Sequence, residues 1–175
     1  MKKMLSILGV LSLSIMINIA CRNLKDEYSG QKTEQALGTD EKEDNKPTDI
    51  PFTEYSLSGS SCEWMNPGYP YPQNGELIII NSDEELTNCI TCTGKDSHPA
   101  IDFSKYTLLL ARGVEPYLTS PGHKSLQQLS SLRYVMNVNL RPNMAAVITS
   151  WQVAITISKL EEGSCVELNV TEKIE

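Results

Sequence analysis

Apolar and polar residues alternate most regularly in the last third of the chain. Five apolar residues take every second position from 132 to 140: Leu132, Tyr134, Met136, Val138 and Leu140. Four more share one face between 147 and 159: Trp151, Val153, Ile155 and Ile157. This period of two predicts strands with one buried face, and a third alternating run begins at Cys165. Because short turns separate the three runs, they predict an antiparallel meander with one face in water.

The preceding segment mixes strand and helix patterns. Apolar runs at 76–81 and 106–111 predict two strands, the second apolar enough to be central. Between them, Ser82 and Glu85 form a capping-box pattern that predicts a short helix at 83–90, with Leu86, Cys89 and Ile90 buried. The stretch 114–130 fits a short helix or an irregular strand equally well. Strand, helix, strand and meander together predict an α+β domain with an antiparallel sheet and one short helix near its start.

The first twenty residues have the pattern of an export leader. A positive end is followed by an apolar stretch from Met4 to Ala20, too short for a comfortable membrane span. Ala20-Cys21 resembles the bacterial lipobox, although Asn18 stands where leucine is usual. We therefore predict a lipoprotein signal peptide at 1–20 and a lipid anchor on Cys21. The alternative is an ordinary thiol beyond a normal cleavage site.

The chain after Cys21 is polar and contains almost no residue that could seed a core. We interpret 21–51 as a lipid-anchored flexible linker and 52–175 as a single domain. Lys25-Asp26-Glu27 resembles the signal that sends Bacteroidetes lipoproteins to the cell exterior, and a plain charged linker explains it equally well. The predicted location is the cell envelope, anchored in the outer membrane, with surface exposure if the signal is genuine.

The net charge of the chain limits its partners. The chain carries −7, which becomes −9 once Lys2 and Lys3 leave with the leader. Without clusters of Lys and Arg the sequence lacks the charge pattern of a nucleic-acid-binding protein. An acidic body is mildly repelled by an anionic membrane, so attachment is expected to come from the lipid on Cys21.

Four cysteines remain in the body: Cys62, Cys89, Cys92 and Cys165. An even number in an exported chain predicts two disulfides, and the sequence does not choose among the three pairings. Cys89 and Cys92 also have redox-pair spacing, which leaves an extracytoplasmic thiol–disulfide enzyme as an alternative. At the C-terminal end of the predicted helix the dipole disfavours a thiolate, so structural use is favoured. A zinc site built from Cys89, Cys92, His98 and Cys165 can also be drawn, but we predict no metal and no cofactor.

No hydrolase, metalloprotease or phosphate-loop motif is present, so we predict no catalytic residues and a protein that is not an enzyme. The strongest candidate for binding is the segment 59–72, in which aromatics alternate with turn residues. Trp64, Tyr69 and Tyr71 are its ligand-binding candidates, since such side chains anchor protein and sugar ligands. The alternative is that they cover the open end of the sheet.

Two features stand out at the front of the domain, over roughly residues 76–112: the Ser82-Asp83-Glu84-Glu85-Leu86 helix start, and Ile101-Asp102-Phe103-Ser104 before a core strand. In these features the chain resembles small Bacteroidetes lipoproteins of unassigned activity. It is also distantly similar to the C-terminal domain of the protease-complex subunit PrcB. The resemblance implies a non-catalytic module that binds a protein partner, as a protease inhibitor or complex subunit. A surface-glycan ligand is the remaining alternative.

Overall fold

A computed structural model describes residues 46–72, 74–94, 97–143 and 145–172. The leader, Cys21 and the linker up to residue 45 therefore lie outside the described residues. The described ranges contain ten strands and one helix, with these bounds: β1 Thr48–Asp49, β2 Thr53–Glu54, β3 Cys62–Trp64, β4 Glu76–Ile80, α1 Asp83–Thr87, β5 Ile90–Cys92, β6 Tyr106–Glu115, β7 Thr119–Ser130, β8 Arg133–Pro142, β9 Thr149–Ser158 and β10 Cys165–Glu172.

Eight of the strands form two four-stranded sheets. Sheet A has the order β1-β7-β8-β10 and sheet B the order β2-β9-β6-β4, while β3 and β5 form a separate two-stranded ribbon. All pairs are antiparallel except β8 with β10, which run parallel from Cys165 beside Arg133 to Glu172 beside Leu140. The part of the chain that the structure describes is mainly β with one five-residue helix, and the predicted α+β class is corrected accordingly.

The predicted meander is wrong because β9 does not pair with β8. β9 joins sheet B beside β6, and β10 returns to sheet A beside β8. Burial explains the separation. Alternate residues of β8 are buried, which suits a sheet with one face in water, whereas the adjacent Val153, Ala154 and Ile155 of β9 are all buried. A strand buried on both faces needs a covering layer on each side. Among the described residues, sheet B has sheet A over one face and α1 with the β3–β5 ribbon over the other.

The main core lies between the inner faces of the two sheets. It is built from buried side chains of five strands: Leu109, Ala111, Leu126, Met136, Val138, Leu140, Trp151, Val153, Ile155, Ile157 and Val166. Trp151 is its largest member and is 2% exposed. Its indole lies against Gly75 and Gly113, where an added Cβ would come within 2.8 Å of the ring. Both glycines are thus required by close packing.

A smaller core covers the outer face of sheet B. Here α1 and the β3–β5 ribbon, together called the cap, bury Leu86, Cys89 and Ile90 against Leu108 and Leu110 of β6. The predicted burial of these three residues is confirmed, although the helix ends at Thr87 and Ile90 begins β5.

The capping box at the start of α1 is confirmed with one change. The Ser82 hydroxyl accepts from the backbone N–H of Glu85 at 3.2 Å, as predicted. The Glu85 carboxylate in turn accepts from the N–H of Asn81 at 2.6 Å, one residue earlier than the usual partner. The helix therefore begins directly from the end of β4.

The undecided segment 114–130 is mostly strand. β7 pairs with β8 from Thr119 beside Pro142 to Ser130 beside Arg133, with register shifts between Pro121 and Lys124 and again before Ser130. Pro121 and Gly122 interrupt the alternation, and the shifts accommodate them as irregularities in one continuous strand. β1, which falls within the predicted linker 21–51, pairs with β7, with Thr48 beside Gln128. In the described ranges no helix has the length and apolar character needed to cross a membrane.

Candidate functional site

The outer edge of β9 is paired along only part of its length. β6 pairs with all ten residues on one side. On the other side, β2 pairs only with Ile155 and Thr156, followed by a bond from Tyr55 N–H to the carbonyl of Ala154 at 2.9 Å. The chain then turns away to bury Leu57 under the cap. Among the described residues, no strand covers the edge of β9 at 150–153.

The backbone direction at this edge follows from the Ala154 bond. In an antiparallel ladder, the N–H and C=O of alternate residues point to the same neighbour. Because Ala154 points toward β2, Gln152 and Ser150 also direct their peptide groups outward, away from β6. The side chains of Gln152 and Ser150 are exposed as well. The open edge therefore offers a short row of hydrogen-bond donors and acceptors.

A groove of about 830 Å³ lies over this open edge. Four residues of β9 form its floor, and the segment 54–60 forms one wall. The floor residues are Ser150, Gln152, Val153 and Ala154, and a second wall consists of Cys62, Glu63, Trp64 and Asn66. Pro121 and Lys124 of β7 close the corner where sheet A meets sheet B. The lining is mostly polar, with serines and Asn66 beside a few apolar groups. Such a trough can hold an extended chain or a polar ligand.

The charges around the groove are unequal. Lys124 forms an ion pair with Glu54 at 2.8 Å and so ties sheet A to sheet B at the corner. Glu63 lines the same groove, is exposed, and has no ion-pair partner among the described residues. The groove thus carries one uncompensated negative charge.

Two aromatic rings stiffen one wall of the groove. Trp64 and Tyr55 meet edge to face with ring centroids 6.0 Å apart, and both lie against the cap core. The Tyr55 hydroxyl donates to the carbonyl of Pro99 at 2.7 Å. Burial, with a smaller contribution from the negative charge of Asp83, raises the pKa of Tyr55 to about 12. Trp64 is therefore partly a packing residue and partly a groove residue, which combines the two sequence alternatives.

The other aromatic candidates lie elsewhere. Tyr69 is 89% and Tyr71 49% exposed, and their rings meet edge to face at 5.8 Å. Neither lines the groove. Tyr71 instead borders a pocket of about 370 Å³ that also contains Glu115 and Glu172. The structure thus divides the three aromatic candidates between two surfaces.

The cysteines pair differently from the expectation. Cys62 and Cys92 face each other across the β3–β5 ribbon and form a disulfide with an S–S distance of 2.02 Å. Cys89 is a free, buried thiol, so the expectation that all four body cysteines pair is wrong at Cys89. Cys89 occupies the cap core, in the same buried cluster as Cys62.

The free thiol has the electrostatics of a structural cysteine. Burial raises the pKa of Cys89, and the positive charge of Arg112 offsets only part of that effect. Because Cys92 is bonded to Cys62, the two residues of the Cys89–Cys92 motif are not joined to each other, and the zinc set drawn from the sequence does not assemble. Within the described ranges no group of three or more His, Cys, Asp or Glu side chains could hold a metal ion.

Comparison of the chain with protein-family profiles, curated proteins and solved structures finds no match. The site must therefore be interpreted from its own geometry.

Sequence reasoning identified Trp64 but missed most of the groove. Gln152, Lys124 and Glu63 are polar residues with no motif of their own. Their grouping depends on where β2 stops pairing with β9, and no local pattern specifies that point.

Proposed function

We propose that the protein is an exported, lipid-anchored envelope protein that acts as a non-catalytic binding module, with a partner protein held in the groove beside β9. The observation that carries this proposal is an open strand edge on the floor of a groove. Unpaired strand edges are usually short, covered or charged, because they invite association with other chains. An edge left open inside a concave surface is suited to a bound segment.

The residues of the groove favour a role in binding over a role in catalysis. Two titratable groups of its lining, Glu54 and Lys124, are joined in an ion pair at 2.8 Å. The aromatic pair on its wall is held by packing and by the Tyr55 bond to Pro99. A rigid wall does not have to be ordered when a ligand binds, which lowers the entropic cost of association. The unpaired backbone supplies hydrogen bonds to a bound segment. The similarity of residues 76–112 to a complex-forming domain is consistent with this role.

Anchoring through Cys21 makes a direct prediction. Cells fed an alkyne-tagged fatty acid should label the wild-type protein and place it in the membrane fraction, because buried acyl chains contribute about 0.8 kcal/mol per methylene. The Cys21→Ser variant should lose both the label and the membrane association. Cys89→Ser is the matched control and should keep both. Full-length Cys21→Ser protein that still carries the label would contradict the anchor.

Partner binding at the groove is tested by a photo-crosslinking amino acid placed at position 152 in living cells. Gln152 is exposed on the groove floor, so we expect one adduct of defined mass there. The same amino acid at Leu132, on the exposed β7–β8 turn, is the control and should give no such adduct. Equal adducts at both positions, or none at 152, would exclude the groove as the binding surface.

A surface glycan is the second candidate, favoured by the exposed pair Tyr69 and Tyr71. Aromatic faces on a loop suit the apolar faces of sugar rings. This candidate requires binding at the tyrosine pair, outside the groove. It therefore predicts no adduct at position 152 in the crosslinking experiment, and an adduct when the crosslinking amino acid replaces Tyr69.

A further inference from the structure

The open edge of β9 lies in line with β2. β2 is already paired antiparallel with β9 at Ile155 and Thr156, and its line ends at the Tyr55 bond to Ala154. Beyond this point the outward peptide groups of Gln152 and Ser150 remain available among the described residues. An added segment that pairs with these groups would continue the β2 line. Strand addition to an exposed edge is an established mode of peptide recognition.

We propose that the groove binds an extended, basic segment of a partner protein as an additional strand of sheet B, paired with residues 150–153 of β9. This deepens the proposed function and rests on it. Main-chain bonds to Gln152 and Ser150 give the segment its register. A basic side chain of the segment lies beside Glu63 and neutralises the charge that no described residue compensates.

Charge distinguishes this occupant from the two other candidates. The chain's own segment 22–45 has seven acidic and four basic residues, so it adds negative charge to an already negative groove. A second copy brings a net charge of −7 and another Glu63. Like charges at short range disfavour both associations. A basic segment of a different protein has the complementary charge.

The test uses a labelled octapeptide of alternating lysine and valine, with a twin in which glutamate replaces lysine. Fluorescence anisotropy on the full mature chain should show the basic peptide binding at least about tenfold more tightly than the acidic twin. This preference should shrink as salt is added. Equal affinity for the twins, or no binding of the basic peptide, would overturn the proposal.

Two alternately N-methylated versions of the basic peptide test the backbone bonds. A strand presents alternate N–H groups to its neighbour, so methylation of one set should abolish binding, and methylation of the other set should leave it nearly unchanged. Binding that depends only on side chains would respond similarly to both. Because the protein is unaltered in this comparison, the result does not depend on the folding of a variant.

Variants at position 152 supply the complementary test. Gln152→Pro removes an outward N–H and leaves the bonds to β6 in place. This variant should therefore lower the affinity for the basic peptide about tenfold. Gln152→Ala keeps the N–H and should change affinity by less than about threefold. Glu63→Gln should reduce the preference for the basic twin, whereas Glu161→Gln, an exposed loop control, should not. Full affinity in Gln152→Pro would overturn the strand geometry.

The same protein samples test the two other candidate occupants, a second copy of the chain and its own segment 22–45. A dimer in sedimentation that Gln152→Pro dissociates would assign the edge to a second copy and overturn the proposal. Displacement of the probe by a synthetic peptide of residues 22–45 would assign the groove to the chain's own linker and would overturn the proposal as well.

The crosslinking and peptide experiments together separate the two proposals. If the crosslink at position 152 forms but the peptides do not bind, strand addition is wrong and the binding function stands. If both fail, both are wrong.

Discussion

Replacing Trp151 by alanine is expected to lower the free energy of unfolding by about 3–5 kcal/mol. The side chain is 2% exposed and belongs to the main core between the two sheets. Gly75 and Gly113 lie against its indole and have no side chains with which to fill the cavity left behind. Since small domains are stable by only about 5–15 kcal/mol, the variant should be close to unfolding. Urea denaturation followed by circular dichroism measures the loss.

The second tryptophan of the chain is a matched control for this experiment. Trp64 is partly exposed and packs against the cap core on one side only. The Trp64→Ala variant removes the same group, so the contribution of burial is isolated from that of residue type. We expect a clearly smaller loss than at Trp151. Equal losses of unfolding free energy at both positions would contradict the burial of Trp151 in the main core between the two sheets.

Removing the Cys62–Cys92 disulfide is expected to cost about 3–4 kcal/mol. The bond closes a segment with a sequence separation of 30, and the chain-entropy estimate for a loop of that length is of this size. The bond also fixes the ribbon that covers the outer face of sheet B, so its loss should expose the cap core. Urea denaturation of the Cys62→Ala, Cys92→Ala double variant, compared with Cys89→Ala, measures the difference.

Alkylation followed by peptide mass spectrometry checks the thiols behind this prediction. In unreduced, folded protein Cys89 should resist modification, because it is buried and its pKa is raised. In denaturant without reductant, Cys89 should be modified while Cys62 and Cys92 stay joined. Rapid labelling of Cys92 in the folded, unreduced protein would contradict the pairing and restore the redox-pair alternative.

The strands that the sequence predicted are those with a strong local pattern. The alternation from Tyr134 to Leu140 and the odd-numbered face of β9 are both found in the structure. β7 was undecided because Pro121 and Gly122 interrupt it, and its identity comes from pairing with β8. The two-residue strands β1 and β2 have no apolar pattern at all. Only their partners make them strands.

The prediction of a meander was wrong because it assumed that strands close in sequence pair with each other. The continuous run Val153-Ala154-Ile155 differs from the strict alternation of β8, and this difference is the signal for a strand buried on both faces. This difference in pattern would have predicted that β8 and β9 belong to different sheets. The groove had no comparable signal, since it arises where the chain leaves β9 after Tyr55.

The position of β9 late in the chain and inside sheet B has a consequence for folding. β2 and β6 both need β9 as a neighbour, and β9 begins only at Thr149. Most strand pairs therefore join residues distant in sequence, which slows folding through the entropy of closing long loops. We expect a nascent chain to stay unfolded until nearly all of it has been synthesised. A polypeptide that must pass through a secretion channel as a thread would benefit from this delay.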